Sequence, residues 1–327
     1  MLEAAPEIWR LVEASPVIAA VTHKDADGDT LGSALALALA LEPLGKKVPV
    51  LSAPPVPRAW TFLPGIERVN RDQVPVGVPV FIFDSGDAER AGEYLPLVRA
   101  AETVVNIDHH VTNTRFGTVN LVCTDAASTG ELVYELLNAW RIPIPRAAAG
   151  CLYATILSDT GGFRHENTSG HALQAAAELV RLGADPVALA RGLFKSRPAS
   201  YLRMQGHILQ SLHFEFDDRL VWGIITLADL KKSGAAAEQA DSAIDQLNTL
   251  RDQELAILFK EAAPNLIKVS IRSRNQIDAA ALAVTFGGGG HRRAAGAELA
   301  LPLAEAKRRV LAEARQRMGE LRWTRAS

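Results

Sequence analysis

The sequence contains little cysteine: its 327 residues include only Cys123 and Cys151. Two cysteines cannot form the dense framework of disulfides that stabilises small secreted domains. Because both lie in apolar segments, we interpret them as buried thiols and expect a reducing compartment, the cytoplasm.

Long hydrophobic runs are also missing. The longest, residues 31–41, includes a glycine and a serine and is about half as long as the ~20 apolar residues that cross a bilayer. Glu3 and Glu7 stand near the N-terminus, and no apolar segment of the secretory type accompanies them. We therefore expect a cytoplasmic protein with no membrane partner.

Net charge and aromatic content are low as well, at −2 and 6%. Affinity for long nucleic acids usually comes from a large basic surface, and long single strands are held by series of aromatic side chains. The composition therefore argues against both kinds of protein. It leaves open a small basic pocket for a short anionic substrate.

What the sequence does contain is enough apolar residues, 48%, and enough length for two domains. Nearly continuous apolar runs alternate with Ala/Leu-rich stretches in the first half, which predicts βαβ units around a parallel sheet covered on both faces. The predicted strands are residues 17–22, 47–52, 78–84 and 103–108. The predicted helices are residues 31–44, 128–140, 146–157, 169–182 and 186–194.

The second half has a different pattern, typical of a smaller α/β domain. Strands are predicted at 220–227, 254–260, 266–271 and 295–301. Helices are predicted at 240–250 and 278–284, and a C-terminal helix follows the last strand and ends at about Gly319. Residues 187–214 contain no Asp or Glu, and Pro198 begins a predicted helical connector. The fold class is thus α/β: a doubly wound, mainly parallel sheet domain over 1–190, a helical linker over 191–214 and a smaller α/β domain over 215–327.

Aspartate and histidine residues recur where predicted strands or helices end. Any one of these aspartates could simply be a helix cap or a turn residue. Because the carboxyl ends of parallel strands meet at one edge of a sheet, we expect the side chains to lie together there. They are His23, Asp25, Asp27 and Asp29 after the first strand, Asp84 and Asp87 after the third, Asp108, His109 and His110 after the fourth, and Asp159 at the end of a helix.

Clustered carboxylates repel one another unless a cation lies between them, and carboxylates with imidazoles suit Mn²⁺ or a similar ion. The pattern predicts two divalent ions about 4 Å apart, with Mn²⁺ favoured and Mg²⁺ or Co²⁺ as alternatives. The absence of cysteine from the cluster disfavours a structural zinc site. The first segment permits two ligand sets, His23 with Asp27 and Asp29 or His23 with Asp25 and Asp27, and we favour the former.

Four successive glycines, Gly287–Gly290, precede His291. Glycine backbones can form a concave nest of N–H groups for phosphate oxygens, but such a run can equally be a flexible loop. Because Arg293 follows and Arg272 ends a nearby strand, we favour anion binding.

These motifs together resemble the DHH phosphoesterases, in order and over nearly the whole chain. Within that family, the chain is similar to the RecJ-like group of nanoRNases and pAp phosphatases. The first-half motifs are His23-x-x-x-Asp27-x-Asp29, Phe83-Asp84-Ser85-Gly86-Asp87, Asp108-His109-His110 and Ser158-Asp159-Thr160-Gly161. The second-half motifs, which resemble a DHH-associated domain, are Ser270-Ile271-Arg272-Ser273, Gly287–His291 and Ala294-Ala295-Gly296.

The resemblance implies the role of each matching residue. One metal would lie on His23, Asp27 and Asp84, and the second on Asp29, Asp84, His109 and Asp159. Asp84 would bridge both ions, Asp108 would orient His109, and His110 would face the reacting phosphate. In the substrate-binding domain, the terminal phosphate or base would be held by Arg272, Ser273, Gly288, Gly289, Gly290 and His291. Ala26 departs from the proline that the family often has before Asp27, which predicts a less rigid loop and unchanged chemistry.

The activity that the resemblance implies is metal-dependent hydrolysis of short oligonucleotides (nanoRNA) to mononucleotides and of pAp, a bisphosphorylated adenosine. Linear or cyclic dinucleotides, a long single strand as for RecJ, and pyrophosphate are alternative substrates, and a nucleotide sensor without turnover is the alternative outside enzymes. The implied partners are short single-stranded RNA or DNA, pAp and a second copy of the chain in a homodimer.

Overall fold

The computed structural model describes residues 2–321 and divides the chain into two units, residues 1–196 and 197–327. The division falls inside the stretch 191–214 that the sequence predicts as a linker. The helix expected after Pro198 is present and belongs to the second unit.

The first unit is a parallel sheet with helices on both faces, so the predicted α/β class is confirmed for it. Five strands pair in the order β2-β1-β3-β4-β5, all parallel. The elements are α1 (Ala5–Ala14), β1 (Ala19–Val21), α2 (Gly28–Leu41), β2 (Val50–Leu51), β3 (Val80–Phe83), α3 (Leu95–Ala100), β4 (Val104–Asp108), β5 (Val119–Val122), α4 (Thr129–Ala139), α5 (Arg146–Asp159), α6 (Gly170–Arg181) and α7 (Pro186–Phe194).

Strand β3 shows why the predicted strands are continuously apolar. Its Phe81 and Phe83 lie in one buried cluster with α2, α4 and α5, whereas Val80 and Ile82 lie in a second cluster with α3. Successive side chains of a strand point to opposite faces, so a sheet covered on both sides needs apolar residues at every position.

The second unit has a six-stranded sheet in the order β10-β11-β9-β8-β7-β6, antiparallel except between β7 and β8. One face packs on α11 and α12, and the other on α8 and α10. Its elements are α8 (Ala199–Gln210), β6 (His213–Glu215), β7 (Leu220–Ile225), α9 (Leu227–Ser233), α10 (Ile244–Leu247), β8 (Leu255–Ala263), β9 (Leu266–Ser273), α11 (Ala279–Val284), β10 (Gly289–His291), β11 (Ala294–Leu299) and α12 (Leu303–Gly319).

Several elements differ from the sequence prediction: α1, α3, α9 and β6 were not predicted, and three further differences have a clear physical reason. Strand β5 was not predicted, because it is an edge strand with alternate residues buried and Asn120 interrupts its apolar pattern. The helix predicted over 240–250 is a 3₁₀ turn, Ala237–Ala243, followed by the single turn α10. Part of the glycine run is not a loop but the edge strand β10.

Among the described residues, no helix combines the length and the apolar character that crossing a membrane requires.

Candidate metal and phosphate site

The predicted aspartates and histidines of the first half come together at the carboxyl edge of the parallel sheet. His23 follows β1, Asp84 follows β3, and His109 follows β4. Asp29 lies in the first turn of α2, and Asp159 is the last residue of α5. Three overlapping groups of potential metal ligands are found among the described residues, and all of them lie here: His23 with Asp27 and Asp84, Asp29 with His109 and Asp159, and Asp84 with His109 and His110.

The first group surrounds the His23 ring. Its Nε2 lies 3.6 Å from Oδ1 of Asp27 and 3.4 Å from Oδ2 of Asp84. His23 and Asp84 are buried, while the Asp27 side chain is 51% exposed, so this group is open to solvent on the Asp27 side. Asp27 is also the N-cap of α2, since its Oδ1 accepts the backbone N–H groups of Asp29 and Thr30.

The second group surrounds the His109 ring. Its Nε2 lies 3.7 Å from Oδ2 of Asp29, 3.5 Å from Oδ1 of Asp84 and 3.5 Å from Oδ2 of Asp159. The other ring nitrogen, Nδ1, lies 3.1 Å from the carbonyl oxygen of Ala126, which fixes the ring so that Nε2 faces the carboxylates.

Asp84 contacts both the His23 and the His109 ring, because its two oxygens face different histidines. Oδ2 faces His23 and Oδ1 faces His109. The Thr129 hydroxyl donates to Oδ1 over 3.2 Å. Asp84 has a φ of 58°, a left-handed conformation that aspartate tolerates better than most residues. The Asp84 carboxylate thus lies between the two histidine rings, as the predicted bridging role requires.

The donor set fits divalent cations. Two ligands bound at about 2.1 Å and at angles of about 90–110° lie about 3.0–3.4 Å apart, close to the separations between these histidines and carboxylates. Burial, reinforced by the charges of neighbouring carboxylates, raises the pKa of both Asp29 and Asp159 well above the usual range. A cation bound between such carboxyl groups would favour their charged form.

The pKa of His23 reflects the same concentration of carboxylates. Burial opposes its protonation, but the Asp27 and Asp84 carboxylates beside it outweigh burial and raise its pKa to about 9. Its second ring nitrogen, Nδ1, is buried and has no hydrogen-bond partner within the described part of the chain. Asp25, the alternative ligand in this segment, is exposed and lies in none of the three groups, which favours the set of His23, Asp27 and Asp29 over the set of His23, Asp25 and Asp27.

The contacts of Asp108 differ from the expectation that this residue orients the His109 ring. Its Oδ1 accepts the backbone N–H of His109, and the only ring that it binds among the described contacts is that of His110, over 2.8 Å to Nδ1. The His109 ring is oriented by Ala126 instead, because two consecutive residues at a strand end turn their side chains in different directions. The bond to Asp108, against the effect of burial, raises the pKa of His110.

Several residues that hold these side chains were not predicted from the sequence to do so. The backbone N–H groups of Thr129 and Gly130, at the start of α4, donate to the Asp29 carboxylate over 2.7 and 3.0 Å. Asn113 donates to Oδ2 of Asp108 and to the Asn106 side chain. The Ser128-Thr129-Gly130-Glu131 stretch carries the capping signal that could have indicated the first contact.

The residues predicted to bind substrate lie in the second unit, around the end of β9. Arg272 has its Nε 3.4 Å from Oδ1 of Asp245, and its side chain is 26% exposed. Ser273 is buried, and its hydroxyl donates to the carbonyl oxygen of Arg292 over 3.0 Å. His291 ends β10 and is exposed. No contact described for these residues tests a role in substrate binding, which stays a prediction.

The structure shows that the glycine run, predicted to form a phosphate nest, is engaged with neighbouring elements of the second unit. The N–H groups of Gly287 and Gly288 donate to carbonyls of α11, and Gly289 and Gly290 pair with β11. Two of the glycines are required by close approach: a Cβ on Gly288 would lie 2.2 Å from the Gly296 carbonyl oxygen, and one on Gly290 would lie 2.6 Å from that of Ala294. The glycines thus make room for a neighbouring strand, a need that their spacing alone did not reveal.

Comparisons with known proteins agree with this division of the chain. Residues 17–156 match the family model described as the DHH family, N-terminal domain, and residues 223–320 match that of the DHHA1 domain. Over 315 residues, 95% of this chain and 93% of the relative, the sequence is 34% identical to the bifunctional oligoribonuclease and PAP phosphatase NrnA of Thermus thermophilus. It is 25% identical to the Bacillus subtilis protein of the same name over 298 residues, 90% of this chain and 92% of the relative.

A solved structure shows the same fold over almost the entire chain. It is an exopolyphosphatase-related protein from Bacteroides fragilis, with a TM-score of 0.89, 23% identity and coverage of 98% of this chain and 96% of that one.

Proposed function

This chain belongs to the DHH family, and from that premise we propose that it hydrolyses short oligoribonucleotides to mononucleotides and removes a phosphate from pAp. The two NrnA relatives that align over nine-tenths of the chain are named for both activities. The net charge of −2 supports short substrates, because it leaves no large basic surface for a long strand.

The observation that carries this proposal is the double donor set with Asp84 in the middle. One ion would be held by His23, Asp27 and Asp84, and the other by Asp29, Asp84, His109 and Asp159. When bound, such ions, Mn²⁺ in our proposal, supply an activated water and neutralise charge on the phosphate oxygens.

The protein's own groups fix the geometry in which this chemistry takes place. The start of α4 donates two backbone N–H groups to Asp29 and a hydroxyl to Asp84, so both carboxylates are held before substrate arrives. The His110 ring is held by Asp108, and Asp108 by Asn113. We assign His110 to contact with the reacting phosphate, where it would bind a nonbridging oxygen.

In the second unit, we assign binding of the substrate's remaining phosphate or base to Arg272, Ser273 and the segment from Gly288 to His291. The guanidinium of Arg272 supports this assignment, since its partner Asp245 is 64% exposed and the 3.4 Å contact between them is longer than a good hydrogen bond. An anion can replace such a partner at low cost. Assembly as a homodimer belongs to the same proposal.

Replacing the central carboxylate tests the proposed chemistry. Asp84→Ala should lower kcat on pAp in Mn²⁺ by about a thousandfold or more, because the metals contribute several kcal/mol to the transition state and each 1.4 kcal/mol is tenfold. Asp87→Ala is the matched control: Asp87 lies three residues further on, caps a turn by accepting the N–H of Arg90, and belongs to none of the ligand groups. Turnover by Asp84→Ala at the level of the control would contradict the assignment.

The same assay identifies the substrate class. We expect the unaltered protein to turn over pAp and RNA of two to five nucleotides faster than a cyclic dinucleotide, pyrophosphate or a long single strand. Preference for the cyclic dinucleotide or the long strand would replace the proposed substrate, and nucleotide binding without any turnover would indicate a sensor.

A further inference from the structure

The connection between β2 and β3, residues 52–79, is long and contains only two short 3₁₀ turns, Arg58–Trp60 and Ile66–Arg68. It leaves the sheet at the carboxyl end of β2, the edge at which the metal-binding side chains lie. Long irregular connections inside a folded domain are uncommon and usually functional.

The first of these turns places Trp60 against the metal-binding loop. A Cβ on Gly28 would lie 2.4 Å from Cζ3 and 2.6 Å from Cη2 of the Trp60 indole, so the ring lies directly on the backbone of Gly28. Gly28 stands between Asp27 and Asp29, one member of each ligand group. The indole is thus in van der Waals contact with the backbone that carries two of the proposed metal ligands.

The indole is not enclosed there. Trp60 is partly exposed, and Phe62 supports it with ring centroids 6.0 Å apart. The adjacent Asp27 side chain is half exposed, so solvent reaches the ligand group on this side of the α2 N-terminus. A phosphate held by the ligand groups would therefore leave the attached nucleoside close to a supported aromatic ring that solvent also reaches.

We propose that Trp60 stacks on a nucleobase of the substrate and so determines the preference for nucleotides over other phosphate esters. This inference rests on the proposed function. Stacking suits a substrate class of short fragments because every base has a π face, and it binds them without selecting a sequence.

The test compares substrates with and without a base. The pair is pAp and ribose 3′,5′-bisphosphate, which keep the same two phosphates. Trp60→Leu should lower kcat/KM for pAp by about 5- to 150-fold, mainly through KM, and leave kcat/KM for the abasic compound unchanged. Trp60→Phe retains a smaller ring and should give an intermediate loss on pAp, which keeps the test informative if the leucine variant folds poorly.

Trp140→Leu provides the matched control. Trp140 is also a partly buried indole of the first unit, but it packs on Trp9 and donates from Nε1 to the carbonyl oxygen of Ala5. It follows α4 at the end opposite to the one that contacts Asp29, so its loss should affect both substrates equally or neither.

Equal losses on both substrates in the Trp60 variants would overturn the proposal and show that the ring only supports the metal-binding loop. Unchanged kinetics on pAp would overturn it as well. Calorimetry with 5′-AMP and ribose 5-phosphate gives a readout independent of turnover: Trp60→Leu should weaken binding of AMP alone. Failure of the proposed function would look different, since the unaltered protein would then hydrolyse neither bisphosphate.

Discussion

At the scale of single residues, four of the proposed metal ligands, Asp27, Asp29, Asp84 and His109, are held by groups that are themselves fixed in the fold. Asp29 accepts two backbone N–H groups from the start of α4. Asp27 accepts two from the start of α2, and the His109 ring binds a backbone carbonyl. Backbone donors cannot rotate away, so the carboxylates are placed before any ion binds.

We expect Asn113 to position His110 through Asp108, and this role can be measured. Its side-chain N–H groups bind Asp108, which in turn binds the His110 ring. Asn113→Ala should release Asp108 and lower kcat on pAp by about 10- to 100-fold with little change in KM, the usual range for the support of a catalytic ligand. Steady-state kinetics in Mn²⁺ measures this split.

Thr114→Ala serves as the control for that variant. Thr114 is exposed on the same loop, and its hydroxyl donates to the carbonyl oxygen of Gly86 and not to the Asp108 network. A loss of similar size in both variants would mean that the loop as a whole, and not the Asn113–Asp108 contact, sets the rate.

At the scale of elements, the site depends on how closely three helices pack. Gly32 on α2 and Gly130 on α4 both lie against Thr155 on α5: a Cβ on Gly32 would be 2.5 Å from Thr155 Cγ2, and one on Gly130 would be 1.9 Å from Thr155 Oγ1. Because Thr155 is fully buried and donates to the carbonyl of Leu152, it cannot move aside freely. The two glycines let the first turns of α2 and α4 meet at Asp29.

Gly130→Ala should therefore be destabilising, by about 1–3 kcal/mol in the free energy of unfolding, since overpacking a close contact costs that much. It should also weaken Mn²⁺ binding, because α4 must move away from Asp29. Denaturant unfolding and metal titration by calorimetry measure the two effects. Gly170→Ala is the control: Gly170 begins α6 with open space around it, and alanine there should be neutral or stabilising by up to about 1 kcal/mol. Equal stabilities of the two variants would contradict the packing argument.

Elements were predicted correctly where their own residues show how they are buried or capped. The buried strands β1, β3 and β4 were found because both of their faces are covered, and α7 was found to the residue because Asp185 caps it and Pro186 begins it. Strand β5 was missed because half of its residues are only partly buried at the edge of the sheet. Strand β10 within the glycine run was not predicted, because the close approach of β11 that requires these glycines is a tertiary contact.

The same limit applies to the candidate site. Which residues gather at the sheet edge followed from the rule that carboxyl ends of parallel strands share an edge. The rule did not predict which ring each carboxylate binds, since side-chain directions at strand ends depend on the packing around them. Asp108, which contacts the His110 ring and not the His109 ring, is an example.

At the scale of the whole molecule, the two units have separate hydrophobic clusters and separate proposed tasks. Every group of potential metal ligands among the described residues belongs to the first unit. Arg272, with its exposed acidic partner, belongs to the second. Small net charge is compatible with this arrangement, because in the proposed function the positive charge that the substrate needs would be supplied locally by metal cations and a few arginines.

Hydrogen exchange with mass spectrometry should separate these tasks. Mn²⁺ alone should slow exchange of the Thr129 and Gly130 amides, which donate to Asp29, and leave the end of β9 and β10 unaffected. At a hundredfold excess over its Kd, a ligand stabilises the bound form by about 2.7 kcal/mol, which changes the opening equilibrium about a hundredfold.

Adding 5′-AMP to the Mn²⁺-loaded protein should then slow exchange at residues 270–275 and 287–296. Arg272→Ala should abolish the second effect and preserve the first. Protection by AMP confined to the first unit, or loss of the Mn²⁺ effect in Arg272→Ala, would contradict the division of tasks between the two units.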